Sequence, residues 1–170
     1  MEDFHDKLVA LLPRLRRFAI GLTGNVSDGD DLLQSAIERA LKSQASFRPE
    51  LSFNSWMFKI TQNLWIDQKR SEARRGTSID IEETYDLVGE DGRTKMEQRH
   101  MTQKVLHAIN ELPEAQRLAV SYVLVDGRTY KEAASVLGVP VGTVMSRLAR
   151  ARKILMDQLL GADAGQGALS

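Results

Sequence analysis

A chain of 170 residues with 23 basic and 23 acidic side chains, 42% apolar residues and no cysteine is bounded before any motif is read. The length suits one large or two small domains, and the missing cysteines exclude disulfides, thiolate metal sites and cysteine nucleophiles. No apolar run of about 18 residues and no cationic-then-apolar amino terminus occurs, which argues against membrane spans and secretion signals and makes a cytoplasmic location the default expectation. The zero net charge hides unlike segments: 12 basic and 10 acidic side chains over residues 1–75, 2 and 7 over 76–98, and 9 and 6 over 99–170. Local field, more than total charge, attracts a phosphate backbone, so neutrality leaves nucleic acid open and disfavours only a purely electrostatic binder.

From Phe4 to Leu22 the residues Leu8, Leu11, Leu12, Leu15, Phe18, Ala19 and Leu22 recur at three- and four-residue steps, the signature of an amphipathic helix, with a bend expected at Pro13. Gly24 and Asn25 supply a stop. Ser27 is placed to cap a second helix, reaching Ser43, whose first turn carries Asp28, Asp30 and Asp31, carboxylates that favour the positive end of the helix dipole. Ser46 to Asn54 reads as a loop. Trp56, Met57, Ile60, Leu64 and Trp65 then form the apolar side of a third helix, ending in the basic cluster Lys69, Arg70, Arg74 and Arg75 before Gly76. Residues 1–76 are therefore expected to form one three-helix unit.

Residues 77–98 are acidic and lack a helical period until about Lys95, so they read as a flexible linker. Extended, such a segment would reach roughly 70 Å, and as a flexible coil about 26 Å, enough either to separate two modules or to let them fold together. A second helical unit is expected over 99–160. Val105, Leu106, Ile109 and Leu112 open it, and Leu112-Pro113-Glu114 marks a break with Pro at a helix start. Leu118, Ala119, Tyr122 and Val123 carry it on to Asp126 and Gly127. Thr129 and Glu132 have capping-box spacing, Ala133, Ala134 and Leu137 face inward, and Gly138 stops that short helix. The last helix is expected from Val141 to Leu160, followed by a frayed tail over 161–170.

Thr129 to Lys153 thus has the form of a helix-turn-helix, the bihelical unit that seats one helix in a DNA major groove. On a helical wheel Val144, Leu148, Ala151 and Leu155 fall within about 60 degrees and make the buried stripe. Gly142, Ser146, Ala149 and Lys153 lie opposite, with Met145 on one shoulder and Thr143 and Arg150 on the other. Small residues at the start of that face let a helix approach base edges, and the cations that follow reach phosphates. Arg147 and Arg152 flank the core stripe and are expected at the DNA backbone.

Of ten aromatic residues, Phe47, Phe53, Trp56, Phe58 and Trp65 fall within residues 47–65, directly before the basic run. Aromatic faces beside cations suit unstacked bases, although Trp56, sharing a stripe with Ile60, reads better as core. Asn63 stands on the polar side, where its amide can pair with a base edge.

These motifs carry a resemblance over nearly the whole chain: it resembles bacterial RNA polymerase sigma factors of the extracytoplasmic-function (ECF, group IV) type. Asp28-Gly-Asp-Asp-Leu-Leu-Gln34 is similar to the family's helix that docks on the clamp helices of the polymerase largest subunit. Phe53 to Arg70 is similar to the promoter-melting segment, and Leu112-Pro113, Tyr130-Lys-Glu-Ala-Ala134 and Val141-Gly-Thr-Val-Met-Ser-Arg147 to the carboxy-terminal helix-turn-helix. The resemblance implies an all-α protein with a sigma-2-like domain over 1–76 and a sigma-4-like domain over 99–160. It implies core polymerase binding through Asp31, Leu32, Gln34, Ile37 and Glu38, with a further contact to the polymerase flap. It implies minus-ten recognition through Phe53, Trp56, Lys59, Asn63 and Arg70, the loop from about Arg48 to Ser55 helping to hold an extruded base. Minus-thirty-five duplex would be read by Gly142, Thr143, Met145, Ser146, Arg147, Ala149, Arg150 and Lys153. It also implies control by a separate anti-sigma protein, a role in stress responses (the general-stress group of alphaproteobacteria being one placement), and no cofactor or metal. Met145 departs from the pattern: many members carry a basic residue there, and Met cannot pair with guanine in a bidentate way.

A conventional helix-turn-helix regulator would explain residues 99–160 equally well but gives no reason for the aromatic cluster or for two unlike modules. An enzyme reading fares worse. His5, His100 and His107 lack metal-ligand spacing, no glycine-rich phosphate loop ending in Lys-Ser or Lys-Thr occurs, and Asp28, Asp30 and Asp31 are explained as helix-start carboxylates.

Overall fold

The computed structural model describes residues 3–76 and 94–167. Seven α-helices make up this part of the chain: α1 (Phe4–Thr23), α2 (Val26–Lys42), α3 (Phe53–Arg75), α4 (Thr94–Asn110), α5 (Glu114–Val120), α6 (Tyr130–Leu137) and α7 (Val141–Gly167). A 3-10 turn (Gln44–Ser46) precedes α3, and a π-helical turn (Ser121–Val125) continues α5. The fold is all-α, as the periodicities predict.

The first three helices pack as a bundle. Leu8, Leu11, Leu15, Phe18, Ala19 and Leu22 are buried along α1, while Leu12 is only half-buried. Gly24 ends α1 in the left-handed region, at φ 84°, where an L side chain would be strained, and its N–H donates to the Ile20 carbonyl at 2.8 Å. Asn25, not Ser27, caps α2: its side-chain oxygen accepts from the Asp28 N–H at 2.8 Å, and its amide donates to the Asp28 carboxylate. One residue therefore serves as both stop and cap, because an Asx side chain holds the next helix from an extended backbone. Gly29 lets α2 cross close over α1, since a Cβ there would lie 2.8 Å from the Ile20 Cα.

The second unit begins earlier than expected. Of the linker assigned to 77–98, residues 77–93 lie outside the described ones, and 94–98 form the start of α4. Thr129 caps α6 by accepting from the Glu132 N–H at 3.1 Å. Gly138 ends that helix, and Val139 N–H returns to the Ala134 carbonyl at 3.1 Å. Helix α7 continues to Gly167 instead of stopping at Leu160, so residues 161–167 are helical and not a frayed tail. In the π turn the Asp126 N–H reaches the Ser121 carbonyl at 3.0 Å, one residue beyond α-helical register.

The two units share one core. Phe18 and Phe58 of the first bundle pack against Tyr122 of the π turn, with ring centroids 4.6 and 6.1 Å from the Tyr122 ring. The buried apolar cluster runs without a break from Leu8 in α1 to Ala151 in α7. The seam between the units therefore belongs to the interior of the molecule.

Candidate nucleic-acid interface

Helix α7 reaches the surface as the wheel predicts. Val144, Leu148 and Ala151 are buried, at 0–2% exposure, and Leu155 is half-buried. Gly142, Met145, Ser146, Ala149, Arg150 and Lys153 are exposed, and Thr143 and Arg147 are half-buried at the margins. Nothing lies within 4 Å of the space a Gly142 side chain would fill, so the start of the face is open. Ser146 donates to the Gly142 carbonyl at 3.0 Å, which turns its hydroxyl along the helix. Met145 is 53% exposed, a large apolar side chain in the middle of a small and polar surface. Arg152 approaches the Tyr130 hydroxyl of α6 at 3.5 Å, in keeping with its place beside the core stripe.

Helix α3 carries a second exposed strip. Trp56, Lys59, Asn63 and Arg70 fall within about 60 degrees on the wheel. Lys59, Asn63 and Arg70 are exposed and Trp56 is half-buried. Phe53 does not join them. It is buried at 8% exposure, its ring edge-on to Phe4 at 5.3 Å and to Phe47 at 5.7 Å, because it closes the end of the first bundle. Phe58 and Trp65 are buried too, so the aromatic run is mostly core, with only Phe47 and Trp56 partly open to solvent. Lys59 borders the second unit: its Nζ donates to the Val136 carbonyl of α6 at 3.4 Å.

On α2 the residues Asp31, Gln34 and Glu38 are exposed and Ile37 is half-buried, and together they form one strip. Leu32 is fully buried and belongs to the core, whereas its neighbour Leu33 lines a shallow groove with Leu12, Pro13, Arg16 and Arg17. Leu41, 42% exposed, extends the Gln34 and Ile37 strip, which the sequence could not show without knowing which side of α2 is covered by α1. Asp30 receives a bidentate pair from Arg16, at 2.8 and 3.3 Å. Among the described residues no group of three histidine or acidic side chains is placed to hold a metal, and no helix is long and apolar enough to cross a membrane.

The seam between α1, α3 and the π turn escaped sequence reasoning altogether. Buried Tyr122 donates to Gln62 Oε1 at 2.7 Å, a bond spanning 60 residues, and burial pushes its phenol above the ordinary tyrosine range. Arg14 of α1 holds Asp126 through two hydrogen bonds, at 3.1 and 3.0 Å, and Arg128 holds the same carboxylate at 2.9 Å. Arg128 also lies over Phe58, 4.4 Å from the ring centroid. Arg117, buried, lies over Trp65 and donates to the carbonyls of Leu22, Asn110 and Leu112. Its burial pulls its pKa down, with Glu111 and then Glu114 acting in the opposite sense.

The arrangement offers two unlike exposed strips, on α3 and α7, and a separate acidic-apolar strip on α2, without a catalytic constellation among the described residues. Comparisons with known proteins agree in both halves. Residues 8–62 match the sigma2 domain of PhyR, and residues 102–155 match sigma-70 region 4. The chain is 35% identical over 155 residues to the ECF RNA polymerase sigma factor EcfG of Rhodopseudomonas palustris (strain TIE-1), covering 91% of this chain and 83% of that relative. It is similar to the solved sigma factor RpoE in complex with the anti-sigma factor NepR from Bartonella quintana, with TM-score 0.73 and 31% identity, covering 94% of this chain and 98% of that one. It is also similar to CnrH in complex with the cytosolic domain of CnrY, with TM-score 0.67 and 25% identity over 94% of this chain and 88% of that one. The chain belongs to the ECF RNA polymerase sigma factors of the sigma-70 family, non-catalytic proteins that act in transcription initiation and bind DNA through region 4.

Proposed function

We propose that this sigma factor docks on core RNA polymerase through the α2 strip Asp31, Gln34, Ile37 and Glu38, which meets the clamp helices of the largest subunit, and through a sigma-4 contact with the flap. It then reads a promoter at two places. The exposed face of α7 enters the major groove of the minus-thirty-five element, with Gly142, Met145, Ser146 and Ala149 near base edges and Arg150 and Lys153 at phosphates. The α3 strip holds the minus-ten element, Trp56 offering a stacking face and Asn63 an amide to an extruded base, while Lys59 and Arg70 attract the backbone. Polymerase performs the chemistry.

The observation that carries this reading is the pair of exposed strips on separate helical units, one cationic with small residues and one mixing an aromatic with an amide. Solved relatives bound to NepR and CnrY support a separate anti-sigma partner for this chain as well, and a stress regulon is the natural setting. Run-off transcription from pooled genomic promoters tests the proposal. Adding the chain to core polymerase should produce new, sharply initiated transcripts and co-purification with core. Tight duplex binding with no polymerase association would overturn it and favour a conventional regulator.

A further inference from the structure

The face of α7 assigned to base edges lacks most of the side chains that read bases. Between Val141 and Lys153 there is no Asn, Gln, Asp or Glu, so neither the amide pair that marks adenine nor the carboxylate acceptor that marks cytosine is available. The cations stand aside. Arg147 is half-buried and lies about 160 degrees round the helix from Ala149, and Arg150 lies about 100 degrees from it. Arg152 is drawn towards the Tyr130 hydroxyl, at 3.5 Å, and Lys153 follows a turn beyond Ala149. The first two turns therefore offer guanine no bidentate partner either.

What remains is a surface of methyl and thioether groups. Gly142, Met145 and Ala149 are exposed and fall within about 60 degrees on the wheel. Met145, more than half exposed, is the one large apolar side chain that reaches solvent between Gly142 and Lys153. Gly142 has open space where a side chain would stand, so the backbone itself can close on the groove and bring Met145 to the level of the bases. Ser146 spends its hydroxyl proton on the Gly142 carbonyl and adds no donor to this surface. Against a guanine or cytosine edge such a surface would strip water from polar groups without replacing it. Against thymine it gains, because thymine is the one ordinary base that presents an apolar group, its C5 methyl, in the major groove. Gly142 to Ala149 spans about 10 Å of helix, the height of about three base-pair steps.

We propose that Met145, with the Ala149 methyl beside it, is the specificity determinant of the minus-thirty-five contact and reads thymine C5 methyl groups on one or two neighbouring base pairs. The inference deepens the minus-thirty-five reading given above and rests on it. The unbranched Met side chain, with three rotatable bonds and a polarisable sulfur, moulds itself around the methyl group. Arg150 and Lys153 supply attraction to the backbone that is indifferent to sequence.

Deoxyuridine lacks the thymine methyl and keeps every hydrogen-bonding group, so it deletes the proposed contact and nothing else. A promoter transcribed by this chain with core polymerase is prepared with each thymine of its minus-thirty-five element, on either strand, replaced singly by deoxyuridine. Thymine and deoxyuridine templates then compete in one run-off reaction at limiting polymerase complex. At one or two neighbouring positions the thymine template should win about fourfold, the worth of one buried methyl group. Met145→Ala should bring that ratio close to one, and Met145→Leu should keep most of it. Each variant is read as a ratio of two templates, so a general loss of transcription cancels. Equal use of the two templates at every position, an element without thymine on either strand, or a ratio unchanged in Met145→Ala would overturn the assignment and leave the sigma-factor reading intact. No promoter-specific transcript from the unsubstituted chain would overturn that reading and the thymine assignment with it.

Discussion

Helices α3 and α7 each carry an exposed strip proposed to meet DNA, and they are built in opposite ways. Helix α7 buries one narrow stripe, Val144, Leu148 and Ala151, and leaves most of its first four turns to solvent. Helix α3 is buried on two adjoining stripes: Met57 with Thr61, and Phe58 with Gln62 and Trp65. Its exposed strip is what two packing surfaces leave over. A change on the open face of α7 should therefore act on DNA contact alone, while a change on α3 also feels the seam.

The largest expected effect is at the seam itself. Replacing Arg117 by Met removes the donor shared by the Leu22, Asn110 and Leu112 carbonyls and the cation over Trp65, and should cost about 2–4 kcal/mol of stability. Urea unfolding should show a lower midpoint; an unchanged midpoint would mean that the two units are not coupled through α3. Next comes Asn63→Ala, expected to slow opening of a duplex promoter by roughly tenfold or more, in line with removal of a bidentate base pairing, with a smaller defect on a promoter carrying a pre-melted bubble. Equal defects on the two templates would remove the base-capture role and with it the contrast between the strips.

Met145→Lys should alter preference without altering fold, because residue 145 is exposed and packs nothing in the core. A lysine there gains a partner in guanine O6 or N7, so the ranking of minus-thirty-five variants should change by about 1–3 kcal/mol at one base pair. Selection from a randomised element would show either a new guanine or no change, the latter placing residue 145 outside the groove. The smallest effect belongs to Arg150→Ala, which removes a proposed phosphate contact on the open face. Binding should weaken a few-fold and uniformly over promoters, with the salt slope reduced by about 1. A promoter-selective defect would reassign Arg150 to base reading.

The same contrast explains what was legible beforehand. The surface of α7 could be read from its wheel because a single apolar arc, packed on α5, α6 and α4 of its own unit, accounts for all of its burial. On α3 the wheel correctly set Asn63 on the polar side but could not separate Phe53 from Trp56. Phe53 is buried by Phe4 and Phe47, and nothing local announces a residue that sits 49 positions away in sequence. Leu32 and Leu33 posed the same problem on α2. The pairing of Gln62 with Tyr122 had no sequence signal at all, since a buried amide and a phenol look like ordinary polar positions until the two units are brought together. Helix starts were misplaced where one residue has two roles, as Asn25 does.

The π turn at Ser121–Val125 has a consequence for how this chain can change length. Its extra residue sets the phase in which the chain leaves Tyr122 and enters α6. Deleting one residue there would restore ordinary α-helical register and rotate everything downstream by about 100 degrees, swinging the α7 face away from its present direction. Insertions and deletions in this short stretch should therefore be tolerated far less than substitutions. A single-residue deletion scan through 119–125, read out by transcription and by thermal unfolding, should find a sharp minimum there, and a flat profile would show that the downstream units orient independently of the turn.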